Sequence, residues 1–251
     1  MKARQDRQRE HYEAIHDEYS RHYYDATSNA YRDRFINRAL LRELDPSTLR
    51  MAEIMCGEGP VTDYVIARHP GAAIEGFDIS GSACTAYSEK SGRPAQCIDI
   101  TREPLPPSTY DAVFVSGGLH HIIHDFDACL DNVHRALKSG GTFAMFEPNA
   151  DYFLNFIRKF WYRRDQYFDA ENEQALDYHQ LHAKASQRFD EISVTHAGGP
   201  AFFLVLNSLI FRLPVSWKRF YAPPLTNLEA IWNLLPGRMA HAYFIAQWRK
   251  R

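Results

Sequence analysis

Apolar and polar positions along this chain switch repeatedly between two periods. Short, nearly continuous apolar runs at 51–55 (MAEIM) and 72–77 (AAIEGF) flank a stretch at 61–69 whose apolar residues recur at helical spacing. The same exchange continues downstream, with strands predicted near 95–99, 110–115 and 141–147 and helices near 81–90 and 126–137. Strands alternating with helices predict a mostly parallel sheet covered by helices on both faces. Ser139-Gly140-Gly141 reads as a helix stop and a turn into the next strand. Before this core, residues 5–45 read as two helices with a break near Asp25–Asn29, Ser28 being a candidate cap of the second. After it come an aromatic helix at 150–164 and a polar stretch at 165–188, irregular or helical. A strand at 192–197, an apolar helix at 201–214 and a last strand at His241–Trp248 complete the chain. There are no internal repeats and no low-complexity segments.

The first predicted strand runs into Cys56-Gly57-Glu58-Gly59, then Pro60 where a first helical residue would sit, and Asp78 ends the second strand. A glycine turn between strand and helix, with an acid about 20 residues on, is the layout of a nucleoside-cofactor site: small residues admit the cofactor to the backbone and a carboxylate meets the ribose hydroxyls. Two details separate the cofactors. The third glycine that packs a helix over a pyrophosphate is replaced by Thr62, and the loop carries acids, Glu53 and Glu58. A carboxylate repels a pyrophosphate but favours an ammonium or a sulfonium. The reading is therefore S-adenosyl-L-methionine (product S-adenosyl-L-homocysteine) and not a nicotinamide dinucleotide.

On these residues the chain resembles the class I S-adenosylmethionine-dependent methyltransferase superfamily, of the small-molecule type. AEIMCGEG resembles its first motif, Asp78 its ribose-binding acid, and CIDI (97–100) the loop whose acid, Asp99, receives the adenine amino group. YDAVFVSGGLHHI (110–122) resembles the fourth strand and the loop under the methionine end, and LDNVHRALKSGGTFAMFEPN (130–149) the following helix, turn and strand. Met55 departs from the pattern: it replaces the glycine that commonly opens the turn, so the backbone is expected to bend there without positive-φ freedom. The resemblance implies a Rossmann-like, seven-stranded, mostly parallel sheet closing with an antiparallel strand, plus an N-terminal helical cap and a helical lid insertion. It also implies roles. Gly57, Gly59 and Cys56 form the close-approach turn, and Ile79 and Ile100 sandwich the adenine or are plain core. Ser116 and Gly117 face the methionine end. Glu53 meets the methionine ammonium or is a structural acid holding the loop. Asp78 and Asp99 each have a rival reading as local caps, of a helix and of a turn before Thr101. Tyr19, Tyr31 and Arg32 reach the methionine carboxylate from a helix folded over the cofactor, or belong to an amphipathic helix packed on the sheet edge.

Methyl transfer from a sulfonium asks the protein for alignment, desolvation and, with a weak nucleophile, a base. His120 and His121 stand in the loop after the fourth strand, where an imidazole could take a proton from a hydroxyl acceptor. The competing reading makes at least one of them a structural hydrogen-bonder, and His124 a surface or helix-capping residue. No cysteine or acid cluster supports a zinc site there. Further on, Asp151–Phe168 and Ser216–Tyr221 mix aromatic and basic residues. They read as ordinary core with a solvated face, as an apolar pocket holding an anionic group, or as a contact with an anionic membrane.

Composition narrows the partners. With 29 basic against 31 acidic residues there is no general nucleic-acid surface. The four cysteines have no metal spacing and read as reduced thiols of a cytoplasmic protein. The charged first residues are not a signal peptide, and no run is long enough to span a membrane. The 251 residues are expected to form a single domain, with 1–45 as cap, 46–149 as cofactor-binding core, 150–240 as substrate lid and 241–251 as final strand. The expected activity is methylation of a bulky or partly apolar small molecule (natural-product, sugar-bearing or lipid-like), at oxygen before nitrogen before carbon. The rivals are a tRNA or protein methyltransferase, a nicotinamide-dependent reductase and a non-catalytic S-adenosylmethionine-binding protein.

Overall fold

The computed structural model describes residues 22–156 and 174–251. Seven strands form one sheet: β1 Arg50–Ile54, β2 Ala73–Asp78, β3 Ala95–Cys97, β4 Tyr110–Ser116, β5 Leu137–Pro148, β6 Phe189–Ala197 and β7 Tyr243–Lys250. Their order is β3-β2-β1-β4-β5-β7-β6. β1 to β5 are parallel, and β7 runs antiparallel to both its neighbours. The fold is the expected mostly parallel α/β sheet with helices on both faces. The central strands β1 and β4 are apolar on both sides because both sides are covered.

Side-chain parity divides the core. Ala52, Ile54, Val113, Val115, Phe143 and Met145 face one layer, with α4 (Phe126–Ala136) and α5 (Tyr178–Ala185). Met51, Ala112, Phe114, Ala144 and Phe146 face the other, with α1 (Ala26–Arg32) and α2 (Pro60–Arg68). Helix α3 (Gly81–Ser91) packs beside β2 and β3.

Three local expectations are corrected. Helix α1 is capped by Asp25, whose carboxylate accepts from the N–H groups of Thr27 and Ser28, so Ser28 lies inside the first turn. Gly140 and Gly141 do not separate helix from strand. The helix ends at Ala136, and the glycines fall inside β5 at a register shift, where Gly140 takes φ 72°. There a side chain on Gly141 would press on the backbone carbonyls of Lys138 and Asp111. The apolar stretch 201–214 is not one helix but a π turn (Phe202–Leu206) and a 3-10 turn (Ser208–Phe211), stopped by Arg212 at φ 49°.

Because β6 ends and β7 begins at the edge where the parallel strands end, residues 198–242 rise from that edge. They contain α6 (Lys218–Trp232). Two buried polar links tie this insertion to the cap. Lys218 Nζ lies 2.6 Å from Asp25 Oδ2 and 2.8 Å from Ser28 Oγ, and the Tyr31 hydroxyl donates to Glu229 Oε1 at 2.5 Å. Among the described residues no helix is long and apolar enough to cross a membrane.

Candidate functional site

A cavity of about 1060 Å³, its open mouth included, lies along the carboxyl ends of β1, β2 and β4. This is the edge where open α/β sheets hold ligands. Gly57 lies on it at φ 51°, and a Cβ there would meet the Tyr24 hydroxyl at 2.5 Å. Ile79 and Ile100 line it together with Ile98 and Phe77.

Asp78 also lines the cavity. Its Oδ2 accepts from the Gly57 N–H and its Oδ1 from the Ser80 N–H, each at 2.9 Å. Asp78 thus steadies the loop from the cavity wall. Asp99 is similar. It lines the cavity, while its Oδ1 accepts from the Thr101 N–H (2.9 Å) and hydroxyl (2.6 Å), and Arg102 approaches Oδ2 at 3.4 Å. Both acids make the local bonds of the cap reading, and both line the cavity.

Several predicted site residues stand behind the loop instead. Glu53 is fully buried. It accepts from the N–H groups of Val61 (3.1 Å) and Thr62 (2.8 Å) and from the Thr62 hydroxyl (2.7 Å), closing the start of α2. Its strand parity puts it on the α2 side with Met51, so of its two readings the loop-holding acid is the one it adopts. Burial pushes its carboxyl up to about 7. Cys56 turns its sulfur toward Gly76, and Gly59 enters α2 at φ 78° under the Tyr87 ring. Thr62, which occupies the third-glycine position, donates its hydroxyl to Glu53 of β1 and meets the Tyr87 hydroxyl of α3, each at 2.7 Å, so polar side chains join α2 to the strand and to the next helix there. Tyr31 is buried against Glu229 and Tyr243, and Arg32 is buried with its guanidinium on the Tyr23 carbonyl. Neither lines the cavity, where the N-terminal block is represented by Tyr24. Tyr19 lies outside the described residues.

The loop after β4 contributes Ser116, Gly117, Gly118 and His121 to the cavity. His120 and His121 part company: their ring centroids lie 3.8 Å apart at a tilt of 40°, but His120 Nδ1 sits 2.8 Å from Glu147 Oε2. Glu147, at the end of β5, is fully buried and also accepts from the N–H groups of Gly118 (2.9 Å), Leu119 (2.7 Å) and His120 (3.3 Å). Burial pushes its carboxyl up to about 8, against the pull of those donors. His124 is exposed. Glu147 was not a predicted site residue, although an acid ending an apolar strand run (FAMFE) is its signal. Met55 is the other surprise. It lines the cavity at φ 50°, so a residue other than glycine adopts the left-handed turn that its replacement of glycine was expected to forbid.

The cavity's charge tests the cofactor. Three carboxylates (Glu58, Asp78, Asp99) and no lysine or arginine stand among its described lining residues. That wall suits a cation such as a sulfonium with an ammonium and opposes a pyrophosphate. The isoleucine wall suits a flat base.

Residues 52–145 match the family model described as a methyltransferase domain. No curated protein matches the sequence. Among solved structures, an S-adenosylmethionine-dependent methyltransferase from Thermotoga maritima, described as a possible histamine N-methyltransferase, aligns over 97% of this chain and 99% of its own, with 16% identity and TM-score 0.66. The N-methyltransferase NodS from Bradyrhizobium japonicum WM9, in complex with S-adenosyl-L-homocysteine, aligns over 96% and 98% at 11% identity and TM-score 0.59. The [4+2]-cyclase SpnF aligns over 87% and 81% at 16% identity and TM-score 0.61. At such identities these likenesses speak for the fold.

Proposed function

We propose that this chain, which belongs to the class I S-adenosylmethionine-dependent methyltransferase superfamily, methylates an oxygen of a bulky or partly apolar small molecule with His121 as general base. The observation that carries the reading is the position of His121 on the wall of the same cavity as Asp78 and Gly57. When bound, the cofactor supplies an electrophilic methyl carbon and a neutral thioether leaving group. Asp78 would accept from the ribose hydroxyls and Asp99 from the adenine amino group, with Ile79 and Ile100 against the base. Gly57, Ser116 and Gly117 would let the methionine part lie close to the backbone. His121 would take the acceptor's hydroxyl proton. His120, set against it and fixed by Glu147, would set the ring's position. Once Glu147 has lost its proton, above about 8, it accepts from His120, whose Nδ1 then carries the hydrogen and Nε2 the lone pair.

A second reading, nitrogen as acceptor, is favoured by the two similar structures described as N-methyltransferases. A neutral amine already carries its lone pair and needs no base before attack. The readings separate on one variant. For an oxygen acceptor His121→Gln lowers kcat by about 10²–10⁴-fold and removes the acid limb of the pH–rate profile. For an amine the fall is about tenfold or less. The first experiment is calorimetry with S-adenosylmethionine, S-adenosylhomocysteine and NADH, on wild type and Asp78→Ala. Binding of the first two that is lost in the variant supports the site assignment. Binding of NADH alone would overturn it.

A further inference from the structure

Helix α6 is built inside out. Its buried face carries Lys218, Ala222 and Glu229, each engaged with the cap or with the turn at Gly199–Ala201. Its solvent face carries Trp217, Phe220, Leu228 and Ile231, spaced by three, eight and three residues so that they share one side, at 59%, 68%, 45% and 65% exposure. Leu234, just beyond the helix, is 81% exposed. Apolar side chains of this size, contiguous and turned to water, mark a surface that meets something.

Charge says what. Across residues 198–240 the only carboxylate is Glu229, which is buried and accepting from Tyr31 and the N–H groups of Gly199 and Ala201. The exposed charges are Arg212, Arg219 and Arg238, the last paired with Asp151 at 2.8 Å. Arg219 lies over the Phe220 ring, 4.6 Å from its centroid, so cation and aromatic are presented together. A second copy of this chain would bring a like-charged face against this one. An anionic bilayer offers negative headgroups to the arginines and acyl chains to the rings.

We infer that the outer face of α6, from Trp217 to Leu234, is a peripheral docking surface for anionic phospholipid membranes. None of its residues lines the cavity, so the inference stands apart from what the cavity binds.

The test is flotation of the full chain with phosphatidylcholine vesicles made with and without phosphatidylglycerol, comparing wild type, Arg219→Glu and the double variant Phe220→Glu/Ile231→Glu. The substituted side chains are exposed, and an unchanged urea midpoint checks the fold. Wild type is expected to float with the phosphatidylglycerol vesicles and much less without them. Arg219→Glu should weaken this about tenfold, and the double variant about tenfold or more. Failure of wild type to float, or undiminished flotation of the double variant, overturns the inference. So does a wild-type dimer in sedimentation velocity that the double variant dissolves while vesicles are ignored, which would assign the face to a second copy.

Discussion

Glu53 and Glu147 are both fully buried carboxylates that gather backbone N–H groups, Glu53 at the start of α2 and Glu147 in the loop after β4, yet only Glu147 touches an imidazole. Glu53 closes the loop that follows its own strand, and its other contacts are hydroxyls: Thr62 directly, Tyr87 through Thr62. Glu147 reaches sideways from β5 to the loop after β4 and adds His120 Nδ1 to three backbone donors. Burial raises both carboxyls, to about 7 and about 8. Near Glu53 the phenol of Tyr87 is pushed well above its usual range. Near Glu147 two adjoining imidazoles lead to the cavity. One device, an acid buried against a loop, thus sets shape in one place and sets shape beside a proton carrier in the other.

The comparison is broken most severely at Glu53. In Glu53→Ala, two buried N–H groups and the Thr62 hydroxyl lose their acceptor, each at roughly 1–3 kcal/mol. Relief from burying the carboxyl offsets part of this. A net loss of about 3 kcal/mol in urea unfolding is expected, with cofactor binding falling alongside. Glu53→Gln keeps one acceptor and should lose about half as much. A loss under about 1 kcal/mol in Glu53→Ala would mean that the loop holds itself.

Titration sharpens it next. An ordinary glutamate loses its proton near 4.5, and the folded chain keeps these two protons to about 7 and about 8. The unfolded chain therefore binds fewer protons in that window. The stability held by each group is fully present below about 4.5 and drains as pH rises, through about 7 at Glu53 and about 8 at Glu147. Unfolding free energy should fall by up to about 8 kcal/mol from the acid to the alkaline side of this window. Glu147→Gln should flatten the upper part of the fall and Glu53→Gln the lower part. A profile that either variant leaves unchanged removes that glutamate from the account. Since only Glu147 adjoins the histidines, only its variant should also move the pH–rate profile for methyl transfer.

Much of this arrangement was legible in the sequence because its signals are local. An apolar run, a glycine turn and an acid ending the next strand marked β1, Gly57 and Asp78 within thirty residues. What escaped depends on distance or handedness. Glu147 takes its partners from residues 27 to 29 positions earlier, in the loop after a neighbouring strand. Tyr31 and Arg32 looked like cavity residues because the sequence does not say which side of α1 meets Glu229, 198 positions away from Tyr31. Helix α6 defeats periodicity outright, since Lys218 and Glu229 are buried while Phe220 and Ile231 face solvent. Glu53 was recoverable: alternation along β1 puts it with Met51, on the α2 side.

The smallest effect probes whether the two loops are joined. Met55 ends β1 at φ 50°, which costs a residue with a Cβ roughly 1–2 kcal/mol. Its side chain fills the space above Gly118, where an added Cβ would meet Met55 Sδ at 2.5 Å and Met55 Cβ at 2.8 Å. Gly118 is itself pinned by Glu147. Met55→Gly relieves the turn but forfeits that packing and loosens the unfolded chain, so its net effect should stay within about 1 kcal/mol. Gly118→Ala alone forces Met55 aside and should destabilise by about 1–2 kcal/mol. In the double variant the added methyl enters the space that Met55 has left. Its loss should be smaller than the sum of the singles by about 1 kcal/mol in urea unfolding. If the two changes add to within ~0.3 kcal/mol, Met55 does not couple the loops, and Glu53 and Glu147 hold independent halves of the cavity.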